Sequence, residues 1–415
     1  MWDEVAGRCS RALRGRRKSM GSHGSKQSKE GENTALLESL KEHRASINCM
    51  AKSEDESLLV TASDDKEARL WGMVAGREGE TECLGSLEGH TGFVTSVDVT
   101  GEYVVTGSSD TTVKKWDMTS CECLFTYEGH TGQVMRVICT GEYIISSSRD
   151  HTARVWIFDT DDITPENKQR CCVRTLRGHV KGVHPIIYIP RRKTGGEGGG
   201  EEGGDEKKEE NSIIKDEELV ITGSTDSTAR LWSIFSGACL VTYKNHRGPV
   251  MTMATDNDVR VLFTGSADKT IRSFDIQTGR PLKVFEGHTE AILCLSVVNK
   301  LMYSGDTDGR AKCWVWQYGD CTCEYRGHHN SVTCIKFHQG VVYTGCGDGI
   351  TRAFDAKTGV LRQVYRQEQG GGGGGGGGGA LVSCLTVCGG RLYTGSEDGV
   401  LRVWDVSQGG TAAWT

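Results

Sequence analysis

An aspartate stands six residues before a Trp or Phe, and four after a Ser or Thr, at eight places along this 415-residue chain. The sets are Thr61/Asp65/Trp71, Thr106/Asp110/Trp116, Ser146/Asp150/Trp156, Thr222/Asp226/Trp232, Thr264/Asp268/Phe274, Ser304/Asp308/Trp314, Thr344/Asp348/Phe354 and Thr394/Asp398/Trp404. His43, His90, His130, His179, His246, His288 and His328 precede seven of them. Self-similarity at roughly 40 residues demands a stacked or closed repeat fold. It also constrains function, because such a chain carries specificity on its loops and not in one buried reaction centre.

One copy shows what the unit is. After Gly89-His90, the run Phe93-Val94-Thr95-Ser96-Val97-Asp98-Val99 alternates as a half-buried strand does, and Tyr103-Val104-Val105-Thr106-Gly107 follows as a second strand. Ser108-Ser109-Asp110-Thr111 is turn chemistry, since Asp and Ser side chains bond nearby backbone groups. Val113-Lys114-Lys115-Trp116 and Cys123-Leu124-Phe125-Thr126-Tyr127 complete four short strands before the next Gly-His. Four antiparallel strands per unit without a helical period is the composition of a propeller blade, so the fold class is all-β.

The recurring residues suit a single hydrogen-bonded chain in each blade, in which Asp fixes one ring nitrogen of His, the other nitrogen meets the hydroxyl, and the indole N–H ends there. The expected tetrads are His90/Thr106/Asp110/Trp116, His130/Ser146/Asp150/Trp156, His179/Thr222/Asp226/Trp232 and His288/Ser304/Asp308/Trp314. An unpaired buried polar group costs about 1–3 kcal/mol, so such a chain is kept whole or not at all. Phe274 and Phe354 lack the indole donor, which marks their blades as weaker. A Ser–His–Asp catalytic triad is the competing reading, but an enzyme needs one triad and this set recurs in nearly every copy. No catalytic residue, cofactor or metal is expected.

Gly89-His90…Trp116-Asp117, Gly287-His288…Trp314 and Trp404-Asp405, with Phe274-Asp275 and Phe354-Asp355 as relaxed versions, resemble the WD40 repeat family over residues 35 to 405. Without two inserts, that span leaves about 330 residues, or about 42 for each of eight units, the period of such repeats. Too little chain follows Trp404 for a fourth strand. Ala35-Leu36-Leu37-Glu38-Ser39-Leu40 is therefore expected to complete the eighth blade and leave no open sheet edge. Seven blades with one stray copy is the alternative. The expected organisation is a disordered polar leader over 1–34, the propeller over 35–405 and a flexible tail over 406–415. An acidic Gly-rich insert spans 191–218, between the first two strands of blade 4. A second insert, ten glycines at 370–379, stands where the eighth Gly-His belongs and makes blade 8 the expected weak point.

A net charge of −6 without a recurring basic stripe gives no reason to expect nucleic acid. No apolar run approaches a transmembrane span, and the N-terminal residues have no apolar signal core. The chain is expected to be cytoplasmic, with its 17 cysteines reduced. Cys121-x-Cys123, Cys171-Cys172 and Cys321-x-Cys323 invite a zinc reading, but they repeat one outer-strand position in separate blades. Cys49, Cys294 and Cys334 each follow their His by six residues and fit inner strands.

The resemblance implies a protein-interaction scaffold whose partners dock on the loops before the first strand and between the second and third. On this chain that face would present Phe93, Gln133, Lys181, Asp64, Ser109, Arg149, Thr225 and Glu397, with Phe93 and Arg149 as anchors for a protein or peptide. The plainer reading of Phe93 is packing beside its own blade. A ubiquitin-ligase substrate receptor is an alternative, although Trp116-Asp117-Met118-Thr119 and Trp404-Asp405-Val406-Ser407 lack the Trp-Asp-x-Arg such receptors often show. An enzyme built on a propeller is a further alternative, although it would need inward-facing carboxylates or a metal set that breaks the repeat, and the sequence shows no such break. Met20-Gly21-Ser22-His23-Gly24-Ser25 fits an N-myristoylation pattern on Gly21, which acts only if Met20 starts the chain. One acyl chain would give only weak membrane attachment.

Overall fold

The structure is a computed structural model that describes residues 35–73, 80–161, 163–164, 168–191, 217–367 and 379–406. Among the described residues, eight four-stranded antiparallel sheets account for nearly all of the regular structure, with one short 3-10 turn at Lys168–Cys171. In blade 2 the strands are Val94–Thr100, Tyr103–Ser108, Val113–Asp117 and Cys123–Tyr127, running from the innermost to the outermost. Each inner strand lies against the inner strand of the next blade, and the inner strand of blade 8 (Val382–Cys388) lies against that of blade 1 (Ile47–Lys52). Eight blades therefore close on themselves as a β-propeller, and the seven-blade alternative is set aside.

The outermost strand of blade 8 is Leu36–Leu40, paired with Leu401–Asp405 in the register Leu36↔Trp404 and Leu40↔Leu401. Glu38 fixes this closure. One of its oxygens accepts from Arg391 Nη1 at 3.3 Å in blade 8, and the other accepts the Thr81 amide at 2.8 Å. Joining the two chain ends in one sheet removes the exposed edge that an open ring would present.

Second strands such as Tyr103-Val104-Val105-Thr106 are rich in β-branched residues and buried on both faces, because neighbouring blades cover both sides of every sheet. Between second and third strands the chain turns through a left-handed residue: Lys66, Thr111, His151, Ser227, Lys269, Gly309, Gly349 and Gly399 all have φ between 71° and 81°. Five of the eight are not glycine, so five turns hold a conformation that costs L-residues about 1–2 kcal/mol. The preceding aspartate compensates. In blade 2, Asp110 Oδ1 accepts the Thr112 amide at 2.9 Å and the Thr112 hydroxyl at 2.7 Å.

The acidic insert begins after the inner strand of blade 4 (Val183–Ile189) and ends before Leu219–Ser224, between the first two strands of that blade. The disorder expected for 1–34, for most of this insert and for the tail from 407 falls outside the described residues, as does most of the polyglycine run.

Candidate functional site

Six blades hold a His–Asp–hydroxyl chain. In blade 2, His90 Nδ1 lies 2.8 Å from Asp110 Oδ2, His90 Nε2 lies 2.7 Å from Thr106 Oγ1, and Trp116 Nε1 donates to the same hydroxyl at 2.8 Å. His130/Ser146/Asp150/Trp156 and His179/Thr222/Asp226/Trp232 repeat this arrangement within 2.7–2.8 Å. His43/Thr61/Asp65/Trp71 forms a further set at 2.7–2.8 Å. The indole is fully buried in each, so these bonds form where water cannot replace them. In blade 5, His246 bridges Asp268 and Thr264, while buried Phe274 fills the indole site without donating.

Blade 6 departs from the sequence expectation: Asp308 is not the tetrad carboxylate. His288 Nδ1 meets Asp306 Oδ2 at 2.7 Å, with Ser304 at 2.6 Å from Nε2 and Trp314 donating to Ser304 at 2.8 Å. Asp306 stands where six other blades have Ser63, Ser108, Ser148, Ser224, Ser266 or Ser396. Its second oxygen accepts the amides of Asp308 and Arg310 at 3.0 and 2.8 Å, so one carboxylate does what a Ser and an Asp share elsewhere. Asp308 turns outward with its side chain 56% exposed and accepts from the Thr289 hydroxyl at 3.1 Å. Beside it a charged cleft of about 370 Å³ opens, lined by Arg310, Glu324, Arg326 and His328.

Blades 7 and 8 depart in another way. Asp348 pairs with Arg352 Nη2 at 2.8 Å, and Arg352 Nη1 also donates to His328 Nδ1 at 3.0 Å. In blade 8, Arg402 Nη2 meets Asp398 at 2.6 Å and Trp404 still donates to Thr394 at 2.9 Å. Both arginines stand two residues before the aromatic, where every blade has a basic residue: Arg69, Lys114, Arg154, Arg230, Arg272, Lys312, Arg352 and Arg402. In blades 3 and 4 this side chain lies over the aromatic, Arg154 over Trp156 and Arg230 over Trp232.

The electrostatics fit a structural role. Burial alone would raise the Asp65 carboxyl, but the His43 bond and charge and the backbone amides of Arg44 and Glu67 bring it down to about 2. Asp110, Asp150, Asp226 and Asp268 likewise lie well below the carboxylate range, as bonds from their histidines and neighbouring donors outweigh burial. Burial holds His130 below the usual imidazole range against the pull of Asp150, and burial with the Arg352 charge pushes His328 down to about 3. In each of the six sets the carboxylate, the imidazole and the hydroxyl are engaged with one another. Among the described residues no group of three or more His, Cys, Asp or Glu is arranged to hold a metal ion, and no helix is long and apolar enough to cross a membrane.

The loops at the His end of the blades share one bond. The residue after the second strand donates its amide to the residue just before the inner strand: Asp64 to Ser46, Ser109 to Phe93, Arg149 to Gln133, Thr225 to Gly182 and Glu397 to Leu381, all at 2.8–3.0 Å. Phe93 is thus tied to Ser109 in blade 2, and Gln133 to Arg149 in blade 3. The Phe93 side chain is 49% exposed. Arg149 packs against blade 4, where a Cβ on Gly182 would lie 3.5 Å from its Cα. The exposed Lys181 contributes its carbonyl, which accepts from Ser224 Oγ at 3.1 Å. Asp64 also accepts from Asn48 Nδ2 at 2.7 Å, and Glu397 is exposed on blade 8. Val180, 70% exposed on the loop of blade 4, was not foreseen. Its signal was legible, since the six other histidines that lead a blade are followed by Thr, Arg or His. Gly21 lies outside the described residues.

The description "WD domain, G-beta repeat" matches residues 34–72, 81–117, 121–156, 237–275, 279–315, 319–355 and 375–405. The chain belongs to the WD40 family. The one blade without its own match in this WD40 protein is blade 4, which the acidic insert interrupts. Mitochondrial division protein 1 of Mycosarcoma maydis is 24% identical over 215 residues, 49% of this chain and 22% of that protein. The protein of the same name from Neurospora crassa is 33% identical over 84 residues, 20% of this chain and 12% of that one. The aligned part is thus about a fifth or less of these relatives' length. Among solved structures, Saccharomyces cerevisiae Sqt1 has a TM-score of 0.71 at 15% identity, covering 90% of this chain and 99% of that one. The computationally designed Ika8 protein has 0.69 at 24% identity, with 89% and 99% covered. These two likenesses concern the fold.

Proposed function

We propose that this WD40 propeller is a non-enzymatic scaffold that binds a protein or peptide on the loops at the His end of its blades, with Phe93 and Arg149 as anchors. The observation that carries the reading is Phe93. An aromatic half-exposed to solvent stands on a loop whose backbone is fixed by the Ser109 bond, so its ring is presented at little further entropic cost. Val180 adds a second apolar side chain to the same face in blade 4. The histidines, aspartates and hydroxyls that might otherwise serve chemistry are engaged with one another, which supports a binding role and not catalysis.

The runs Met302-Tyr303-Ser304-Gly305 and Arg352-Ala353-Phe354-Asp355-Ala356-Lys357-Thr358-Gly359 liken the chain to WD repeat-containing protein 86, a likeness that adds no activity. The test is proximity labelling in cells with the intact chain and a Phe93→Ala/Arg149→Glu variant whose thermal unfolding matches the parent. Loss of a defined set of labelled partners is expected. A folded variant that keeps every partner of the parent overturns the reading.

A further inference from the structure

Blade 6 concentrates thiols as no other blade does. Cys313 on its third strand (Ala311–Val315) and Cys323 on its outer strand (Asp320–Tyr325) are direct register partners. At the neighbouring position, Cys83, Cys123, Cys172, Cys239 and Cys321 each face a tryptophan. Among the paired residues of the described strands, Cys313↔Cys323 is where cysteine faces cysteine. Residues directly opposed in an antiparallel pair have Cα atoms about 4.5 or 5.5 Å apart and side chains on the same face. A disulfide requires about 4.4–6.8 Å, so either class of pair suits one without backbone movement.

We propose that Cys313 and Cys323 form a reversible oxidation site that takes a small hydroperoxide as its oxidant. Cys323 is half-buried beneath Gly359, whose left-handed turn lies so close over the sulfur that no Cβ fits there. Cys313 is 2% exposed and packed among Tyr303, Tyr325 and Phe354. A narrow approach of this kind favours a molecule the size of hydrogen peroxide over a bulky disulfide. The Cys323 thiolate attacks one peroxide oxygen. The O–O bond breaks, an S–O bond forms, and hydroxide leaves to take up the proton that Cys323 gave up. The Cys313 sulfur then attacks the Cys323 sulfur, the S–O bond breaks, and water leaves with the proton of Cys313. Two thiols are oxidised to one disulfide and one peroxide is reduced to two waters; thiols reverse the step by exchange. Burial pushes both thiols above the ordinary cysteine range, so thiolate is scarce at neutral pH and oxidation quickens as pH rises. The site lies on the outer half of blade 6 and does not depend on the proposed binding face.

The test uses the full chain, reduced, desalted and treated with hydrogen peroxide at pH 7 and pH 8. Remaining thiols are alkylated, and cleavage before Asp320 separates Cys313 from Cys321 and Cys323 for mass spectrometry. The expected result is a Cys313–Cys323 link as the main new disulfide, formed about tenfold faster at pH 8 and retained in Cys321→Ser. Cys323→Ser should abolish it, and the parent digest decides the matter if that variant does not fold. A Cys321–Cys323 link, or over-oxidation of Cys321 with Cys313 still alkylated, overturns the proposal.

Discussion

The carboxylate of Asp306 lies 2.7 Å from Nδ1 of His288, two residues ahead of the aspartate that the repeat assigns to that bond. Its side chain is fully buried while that of Asp308 is 56% exposed, so two aspartates in one turn have opposite consequences.

Asp306→Ala would leave the imidazole and two amides without their acceptor, a cost of about 3 kcal/mol. Asp308→Asn should change stability by less than about 0.5 kcal/mol. Denaturant unfolding of the two variants side by side checks the pair, and equal effects would contradict the assignment.

Trp116→Phe removes the donor to Thr106 and part of the packing, as Phe274 does naturally in blade 5. A loss of about 1–3 kcal/mol is expected. The measurement is the shift in unfolding midpoint at unchanged denaturant slope.

Thr111 holds φ at 75° with a β-branched side chain. Glycine adopts that conformation freely, so Thr111→Gly should raise stability by about 1 kcal/mol even though it deletes a side chain. Calorimetry on the variant tests this; destabilisation would mean that the Thr111 side chain outweighs the strain.

His328 resists protonation because it is buried beside Arg352. Its folded pKa of about 3 lies below the unfolded value of 6.5, so the unfolded chain takes up the proton first. Stability is therefore full above pH 6.5 and falls as pH drops from 6.5 towards 3, by about 1.4 kcal/mol per pH unit from this residue. The tetrad carboxylates add a later loss: Asp65, lowered from 3.8 to about 2, keeps its contribution above pH 4 and gives it up as pH falls through 2. Unfolding curves at pH 6 and pH 5 should separate more for the parent than for His328→Gln.

Glu38 joins the closing strand to Arg391, whose side chain is 3% exposed. Glu38→Ala should cost about 1–3 kcal/mol, because the buried guanidinium would lose its carboxylate contact and the Thr81 amide its acceptor. Hydrogen exchange should show Leu401–Asp405 losing protection before the inner strands do.

The eight-blade count and the Leu36–Leu40 closure were legible because a spacing of six from Asp to an aromatic survives any change in the loops between copies. Blade 4 remained readable despite its insert, since Thr222, Asp226 and Trp232 keep that spacing. The substitution of Asp306 for Asp308 was not legible from the repeat. The pattern aligns Asp308 with the other aspartates, and only side-chain reach from a fixed turn decides which carboxylate arrives at His288. Arg352 and Arg402 were equally hidden, because a basic residue precedes the aromatic in every blade and only the company of His328, or the lack of a histidine, turns it inward.

By itself, then, the sequence determined the all-β repeat, its period, its closure and the residue types that knit each blade, since periodicity and buried polar pairing are local and must recur wherever the unit recurs. Tertiary structure alone decided which of two nearby carboxylates is buried, which arginine replaces a histidine's partner, how far Phe93 and Val180 stand out from the loops, and that Cys313 faces Cys323. Those outcomes depend on distances between strands and on the cover supplied by neighbouring blades, which no single repeat encodes.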